Sequence, residues 1–169
     1  MKRSIYLISS IGASFLLAGC MGYELGGSRP AGIQNVAVAP VVNQTHEPAI
    51  ELEVTHALRQ RLQFDGRMKL ARAEHKADAV IEVTLTDYSL TPVAYRSDQR
   101  TTPELYRIRI TGKARLKDTA AGTVISESET YGESVFEFTS DLTSSRRNAL
   151  PEAAREIAKF MIDDLIEQW

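Results

Sequence analysis

Hydrophobic and polar positions change their spacing along the chain, and in the first half the spacing predicts a strand, a helix and a second strand. Residues 33–42 are rich in valine without a helical stripe, which is typical of a buried strand. Pro48 suits a first helical turn, Gly66 suits a helix end, and residues 68–71 can form a short strand. Between Pro48 and Gly66, apolar residues recur at the spacing of an amphipathic helix: Ile50, Val54, Ala57, Leu58 and Leu62.

The second half is dominated by alternation, which predicts antiparallel strands. Ile81, Val83 and Leu85 alternate with polar residues within a strand over residues 80–90. A polar stretch over 96–104 interrupts the pattern, and residues 106–117 resume it. A turn over 118–122 leads into a strand over 123–131, which residues 135–138 can extend. The sequence therefore predicts a hairpin.

Residues 151–169 form an amphipathic C-terminal helix in this interpretation, with one broad apolar face: Ala154, Ile157, Ala158, Met161, Ile162, Leu165 and Trp169. The predicted fold class is α+β, a two-layer α/β sandwich. About four strands would form a mixed sheet, two helices would pack on one face, and the other face would stay open. We expect residues 33–169 to form a single domain.

Composition narrows the possible functions. The 169 residues include 20 Lys+Arg and 22 Asp+Glu, a net charge of -2 that argues against a generally basic nucleic-acid binder. A single cysteine excludes an intrachain disulfide framework and any zinc site built from cysteines. The role of this cysteine is therefore decided by its position.

The N-terminus predicts export and lipidation. Lys2 and Arg3 precede a short apolar run over residues 5–17, the layout of a secretory signal, and Leu17-Ala18-Gly19-Cys20 resembles a bacterial lipobox. The resemblance implies cleavage after residue 19, a diacylglyceryl group on the Cys20 sulfur and an acyl chain such as palmitate on its amine. Residues 20–32 would then be the lipidated N-terminus and a linker. The alternative is a signal peptide or core helix with an incidental cysteine.

Catalytic chemistry finds little support in the sequence. The three histidines share no ligand spacing, and no nucleophile elbow, glycine-rich phosphate loop or Cys-His pair is present. Asp163 and Asp164 are adjacent on the last helix and should point to different sides, and Arg146 with Arg147 suggests a solvated loop before it. We expect no enzyme activity, no catalytic or metal-binding residues and no cofactor.

One strand carries an unusual row of cations. Side chains alternate along a strand, so five basic residues should project from the open face: Arg107, Arg109, Lys113, Arg115 and Lys117. One interpretation is a solvated face on which Glu127 and Glu129, lying near Lys113 and Thr111, offset part of the charge. The other is a binding surface for a phosphate-bearing lipid or an acidic protein.

The order of these features resembles the LptE family of lipopolysaccharide-assembly lipoproteins. The resemblance covers the whole chain after residue 19. It rests on the lipobox, Gly22-Tyr23-Glu24-Leu25-Gly26-Gly27, Val36-Ala37-Val38-Ala39-Pro40, Asn43-Gln44-Thr45, Ala77-Asp78-Ala79, Arg147-Asn148-Ala149-Leu150 and Leu165-Ile166-Glu167-Gln168-Trp169. It implies a non-enzymatic protein that plugs the LptD barrel, assists its assembly and binds lipopolysaccharide. The five cations are candidate lipopolysaccharide-binding residues, and Met21 after the cysteine favours the periplasmic side of the outer membrane.

A second interpretation remains open. The strand-helix-strand opening is similar to that of curli-secretion (CsgG) lipoproteins and of lipoproteins that activate peptidoglycan synthases. A protein of that kind would act in the periplasm through protein contacts, as a self-assembled ring or on a synthase.

Overall fold

The computed structural model describes residues 32–139 and 141–167. The predicted signal peptide, Cys20 and all of the linker except Gly32 lie outside the described residues, as does Trp169 of the predicted helical stripe.

The first half folds as the predicted strand-helix-strand unit. Strands β1 (Asn35–Val38), β2 (Val42–Asn43) and β3 (Lys69–Leu70) flank helix α1 (Ile50–Asp65), and a short 3-10 helix spans Glu74–Lys76. Strands β1 and β3 are parallel neighbours. The single strand expected over residues 33–42 is divided in two. Pro40 lies between the pieces and has no backbone N–H for a ladder hydrogen bond.

Helix α1 begins after Pro48, and a turn built on Asn43 leads into it. The Asn43 amide donates hydrogen bonds to the Glu47 carbonyl at 2.8 Å and to the Glu51 carboxylate at 2.9 Å. Ala49 adopts φ 66°, and the helix starts at Ile50. At the other end Gly66 closes the helix with φ 74°, as predicted for a left-handed helix end.

Three long strands make up the second half. Strands β4 (Ala79–Tyr95), β5 (Pro103–Asp118) and β6 (Val124–Glu137) pair antiparallel in chain order. The strand order is β3-β1-β4-β5-β6, and β2 pairs with β4. Among the described residues the mixed sheet has six strands rather than about four. The short strand expected over residues 68–71 forms as β3, and the strand expected over 33–42 is divided into β1 and β2.

Helix α2 (Leu142–Glu167) begins nine residues before the predicted start. Asp141 accepts hydrogen bonds from the backbone N–H groups of Thr143 and Ser144, as an N-cap residue does. Pro151, expected at the helix start, lies inside the helix. The predicted loop at Arg146 and Arg147 is therefore wrong, since both residues belong to α2.

Both helices cover the same face of the sheet, as predicted. Helix α2 packs on β6 and β5, and α1 packs on α2 and the short strands. The core joins Ile81 and Leu85 of β4, Ile110 of β5, Leu58 of α1 and Ile157 of α2, all fully buried.

An ion-pair cluster ties the end of α1 to α2. Arg61 and Arg67 lie 2.6 Å and 3.2 Å from the Asp163 carboxylate, and Arg67 also bonds Asp65 at 2.6 Å. The side-chain hydrogen bonds from Arg67 hold the pKa of Asp65 below its ordinary value. Asp164 turns the other way and accepts a hydrogen bond from Ser128 of β6, so the two aspartates face different sides as predicted.

Candidate functional site: the open face of the sheet

The five predicted cations all lie on strand β5. Ile108, Ile110, Ala114 and Leu116, which alternate with them, are fully buried under the helices. Since neighbouring side chains on a strand point to opposite faces, the cations occupy the face that neither helix covers. Their side chains are roughly half exposed, from 41% at Lys117 to 55% at Arg115.

Each cation meets a glutamate from a neighbouring strand. On β6, Glu129 lies 3.3 Å from Lys113 and Glu127 lies 3.0 Å from Arg115. On β4, Glu82 lies 3.6 Å from Lys117. Glu133 of β6 is the fourth glutamate and pairs with the remaining two cations. The open face therefore carries alternating positive and negative charges rather than a basic patch.

The glutamates are shifted by two residues from the expected register. Glu129, expected near Thr111, lies opposite Lys113, and Glu127 lies opposite Arg115. The turn closes one residue later than predicted, where the Asp118 N–H donates to the Thr123 carbonyl, and a bulge between Leu116 and Lys117 adds the second residue. The expectation that glutamates offset the charge holds, with different partners.

Glu133 pairs with both Arg107 and Arg109 of β5. Its carboxylate lies 2.5 Å from Arg109 and 3.5 Å from Arg107 Nε. The Arg109 guanidinium also lies over the Tyr131 ring, 4.5 Å from the centroid, a cation-π contact. Arg107 Nε has no hydrogen-bond partner among the described residues, so this guanidinium keeps an unused donor.

A polar cavity of about 280 Å³ opens on the same face. The side chains around it carry hydroxyl, amide and charged groups that can hydrogen-bond a polar ligand: Gln44, Glu82, Thr84, Thr86, Lys113 and Arg115. Two of the predicted cations, Lys113 and Arg115, therefore line a concave site.

A second cavity, about 360 Å³, lies between the beginnings of the two helices, and the sequence analysis missed it. Arg146 of α2 lies 2.9 Å from Glu47, which precedes α1, and Tyr88 of β4 lines the same space. Burial, with the nearby Glu47 charge, raises the pKa of Tyr88. The helical spacing of apolar residues over 142–150 could have predicted this cavity. Pro151 suggested a later helix start, so that spacing was not used.

Metal and membrane-spanning sites are not evident in the described part of the chain. Within residues 32–139 and 141–167, no three His, Cys, Asp or Glu side chains converge as a metal site would need. Neither α1 nor α2 is both long and apolar enough to cross a membrane.

Comparison with known proteins gives one family and a set of similar folds. A family model named LptE and described as lipopolysaccharide-assembly matches residues 33–168. Among solved structures, a DUF330 protein from Xanthomonas campestris has a TM-score of 0.57 and 12% identity, covering 86% of this chain and 94% of its own. A dodecameric PelC variant from Paraburkholderia phytofirmans has a TM-score of 0.50 and 16% identity, covering 83% and 95%. A search of curated proteins finds no match.

Proposed function

The chain belongs to the LptE family of lipopolysaccharide-assembly proteins, and from that premise we propose that it plugs the LptD barrel, assists assembly of that barrel and takes part in lipopolysaccharide transport. The observation that carries the proposal is the family match over nearly the whole described domain. We propose no catalytic step, because the family acts through binding and assembly.

The proposal includes a lipid anchor at Cys20 on the periplasmic side of the outer membrane. Two or more acyl chains, each buried at about 0.8 kcal/mol per methylene, make such attachment close to permanent. Cys20→Ser should therefore release the protein into the soluble envelope fraction. Normal membrane fractionation of that variant would remove the anchor from the proposal.

Direct binding of lipopolysaccharide is assigned to the five β5 cations. Their ion pairs with glutamate are half exposed, and exposed pairs contribute about 0–1 kcal/mol each. A phosphate group accepts the same charge-assisted hydrogen bonds from guanidinium and ammonium groups as a carboxylate does, and it carries up to two negative charges and three acceptor oxygens. Phosphates of lipid A can therefore exchange for the glutamates, with the Lys113 and Arg115 cavity as the first place of contact.

The barrel partnership is tested by purifying the tagged, lipidated protein from outer membranes and identifying what accompanies it. We expect a large β-barrel in equal amount. Isolation of the protein without a barrel would contradict the proposal.

Lipopolysaccharide binding is tested with two matched triple variants of the same face. Replacing Arg109, Lys113 and Arg115 with Gln should weaken binding about tenfold or more, if each lost contact is worth roughly 0.5 kcal/mol or more. Replacing Glu127, Glu129 and Glu133 with Gln removes the competing carboxylates and should strengthen it. Binding to purified lipopolysaccharide is measured at low and high salt, and circular dichroism confirms folding.

Opposite changes in the affinity of the two variants would show that this face binds an anionic part of lipopolysaccharide. Equal affinity of both folded variants would restore the interpretation of a solvated face, while leaving the barrel partnership intact.

The periplasmic alternative, a CsgG-like or synthase-activating lipoprotein, is tested by the size of the protein in detergent. The PelC variant with a similar fold is a dodecamer, and a ring of comparable size here would favour self-assembly over the barrel plug. We expect one copy per barrel.

A further inference from the structure

Strand β6 is the long edge strand of the sheet in the described part of the chain. It spans 14 residues, Val124–Glu137, and in the described part of the chain it pairs only with β5. The opposite edge, β3, has two residues. An edge strand leaves alternate backbone N–H and C=O groups free to pair with another chain.

Two hydrogen bonds show which groups of β6 face outward. Phe138, just past the strand, donates its N–H to the carbonyl of Glu104 in β5, so the backbone groups of the even-numbered residues of β6 face inward. The Glu133 N–H instead bonds the Glu156 carboxylate of α2, on the outer side. Alternation along an antiparallel pair then directs the backbone groups of other odd-numbered residues outward: Glu127, Glu129, Tyr131, Val135 and Glu137.

The same outward-directed residues present a row of negative charge. Four of the odd positions from residue 127 to 137 are glutamate, and their side chains share the open face with the β5 cations. Because β5 carries cations and β6 carries glutamates, a further strand beside β6 would be stabilised if it also carried cations on this face. Self-pairing of two β6 edges is disfavoured, because it would bring glutamates beside glutamates on one face.

A groove accompanies the end of this edge. It has a volume of about 510 Å³ and lies between β6 and the first turns of α2, lined by Ser134–Glu137 and by Ser145, Asn148, Ala149 and Glu152. Val135, which borders it, is 54% exposed. A strand laid along β6 would place alternate side chains on the open charged face and the others beside this groove.

From the outward-directed backbone groups of Glu129, Tyr131, Val135 and Glu137, the acidic row and the groove, we propose that the β6 edge binds an extended segment of a partner protein that carries Lys or Arg at alternate positions. The segment adds to the sheet as a seventh strand. Main-chain hydrogen bonds supply affinity in such docking, and the alternate side chains supply specificity. The Glu156 bond to Glu133 divides the edge into two docking stretches and protects it when no partner is bound.

This inference goes beyond the proposed function, since it requires neither lipopolysaccharide nor a barrel. The probe is a fluorescent ten-residue peptide of alternating Lys and Thr, added to the full-length lipidated protein in neutral detergent. A peptide of alternating Glu and Thr is the charge control. We expect the basic peptide to bind and to slow amide hydrogen exchange at Glu129, Tyr131, Val135 and Glu137.

A proline variant separates strand addition from simple charge attraction. Val135→Pro removes an outward N–H without changing charge, and proline is tolerated at such positions of an edge strand. It should weaken peptide binding about tenfold, equivalent to one or two lost hydrogen bonds, whereas Val135→Ala should change it less than about threefold.

The result that overturns the proposal is binding that Val135→Pro leaves unchanged, or binding without exchange protection along β6. Failure of the basic peptide to bind, or dimers formed through β6, would overturn it as well. If Val135→Pro loses its cooperative melting transition, the exchange pattern of the wild-type protein decides the question alone.

Discussion

Strands β5 and β6 present two faces that differ in packing and charge, one covered by helix α2 and the other open. On the covered face, β6 places Ser126, Ser128, Gly132 and Ser134 under helix α2, and all four are buried. The serine hydroxyls of Ser126 and Ser134 donate to the Leu165 and Ala149 carbonyls of the helix. Small residues let the helix lie close, and each buried hydroxyl finds a partner.

On the open face the same strands carry charges that pair with charges on neighbouring strands, and Arg109 also lies over the Tyr131 ring. Their pairs are half exposed and worth little individually, so the face tolerates exchange of partners. Close packing of small residues characterises the covered face, whereas pairing of charges characterises the open face. Substitutions should therefore affect stability on the first and binding on the second.

The largest contrast is expected between adjacent residues of β5. Ile110→Ala removes a fully buried side chain and should lower the free energy of unfolding by about 2–5 kcal/mol. Thr111→Ala, on the open face, should cost about 1 kcal/mol or less. Urea denaturation measures both. Similar losses at the two positions would show that the open face is also packed, against a partner outside the described residues.

The second contrast concerns two buried glycines. A Cβ at Gly132 would collide with the Ile157 backbone nitrogen and the Ala153 carbonyl oxygen, neither of which can move without shifting α2. Gly132→Ala should therefore cost about 3 kcal/mol.

Gly112→Ala is the matched control. A Cβ there would lie 2.9 Å from the Thr84 carbonyl oxygen and 3.0 Å from the flexible Met161 side chain, which can partly give way. We expect a loss of about 1–2 kcal/mol from the same urea titrations. A larger loss at Gly112 than at Gly132 would contradict the close approach of α2 to β6.

The smallest expected effect is a pH dependence of stability that arises at the ion-pair cluster between the helices. Because the folded pKa of Asp65 is lowered, its carboxylate stabilises the fold above the ordinary aspartate pKa of about 4. This contribution is lost as the pH falls through the lowered value. Asp65→Asn should therefore be less stable than wild type near pH 6, and the difference should shrink below about pH 4. A difference that is independent of pH would exclude the charge of Asp65 as its cause.

Periodicity predicted most of the fold because buried residues alternate along the long strands and recur at helical spacing along α1. Ile81, Val83 and Leu85 identified β4, and the stripe from Ile50 to Leu62 identified α1. The start of α2 was missed because Pro151 is usual in a first turn, whereas here Asp141 caps the helix and the proline lies inside it.

The candidate face was predictable only in part. Strand alternation placed the five cations together, since that depends on period alone. Their partners depend on register, and the bulge beside Lys117 with the later turn closure moved Glu127 and Glu129 by two residues from their expected positions. Arg146 with Glu47, and the Glu156 bond to β6, join residues far apart in the chain, which no local pattern reveals.

The length of strand β4 sets a scale for the whole molecule. Its 17 residues, at about 3.3 Å each, span about 55 Å, from Ala79 beside the N-terminal strand to Tyr95 at the hairpin tip. The hydrocarbon core of a bilayer is about 30 Å thick. The start of the described domain, beside Ala79, and the hairpin tip therefore lie at opposite ends of the sheet. Any single partner that contacts both ends must extend farther than the thickness of the membrane core.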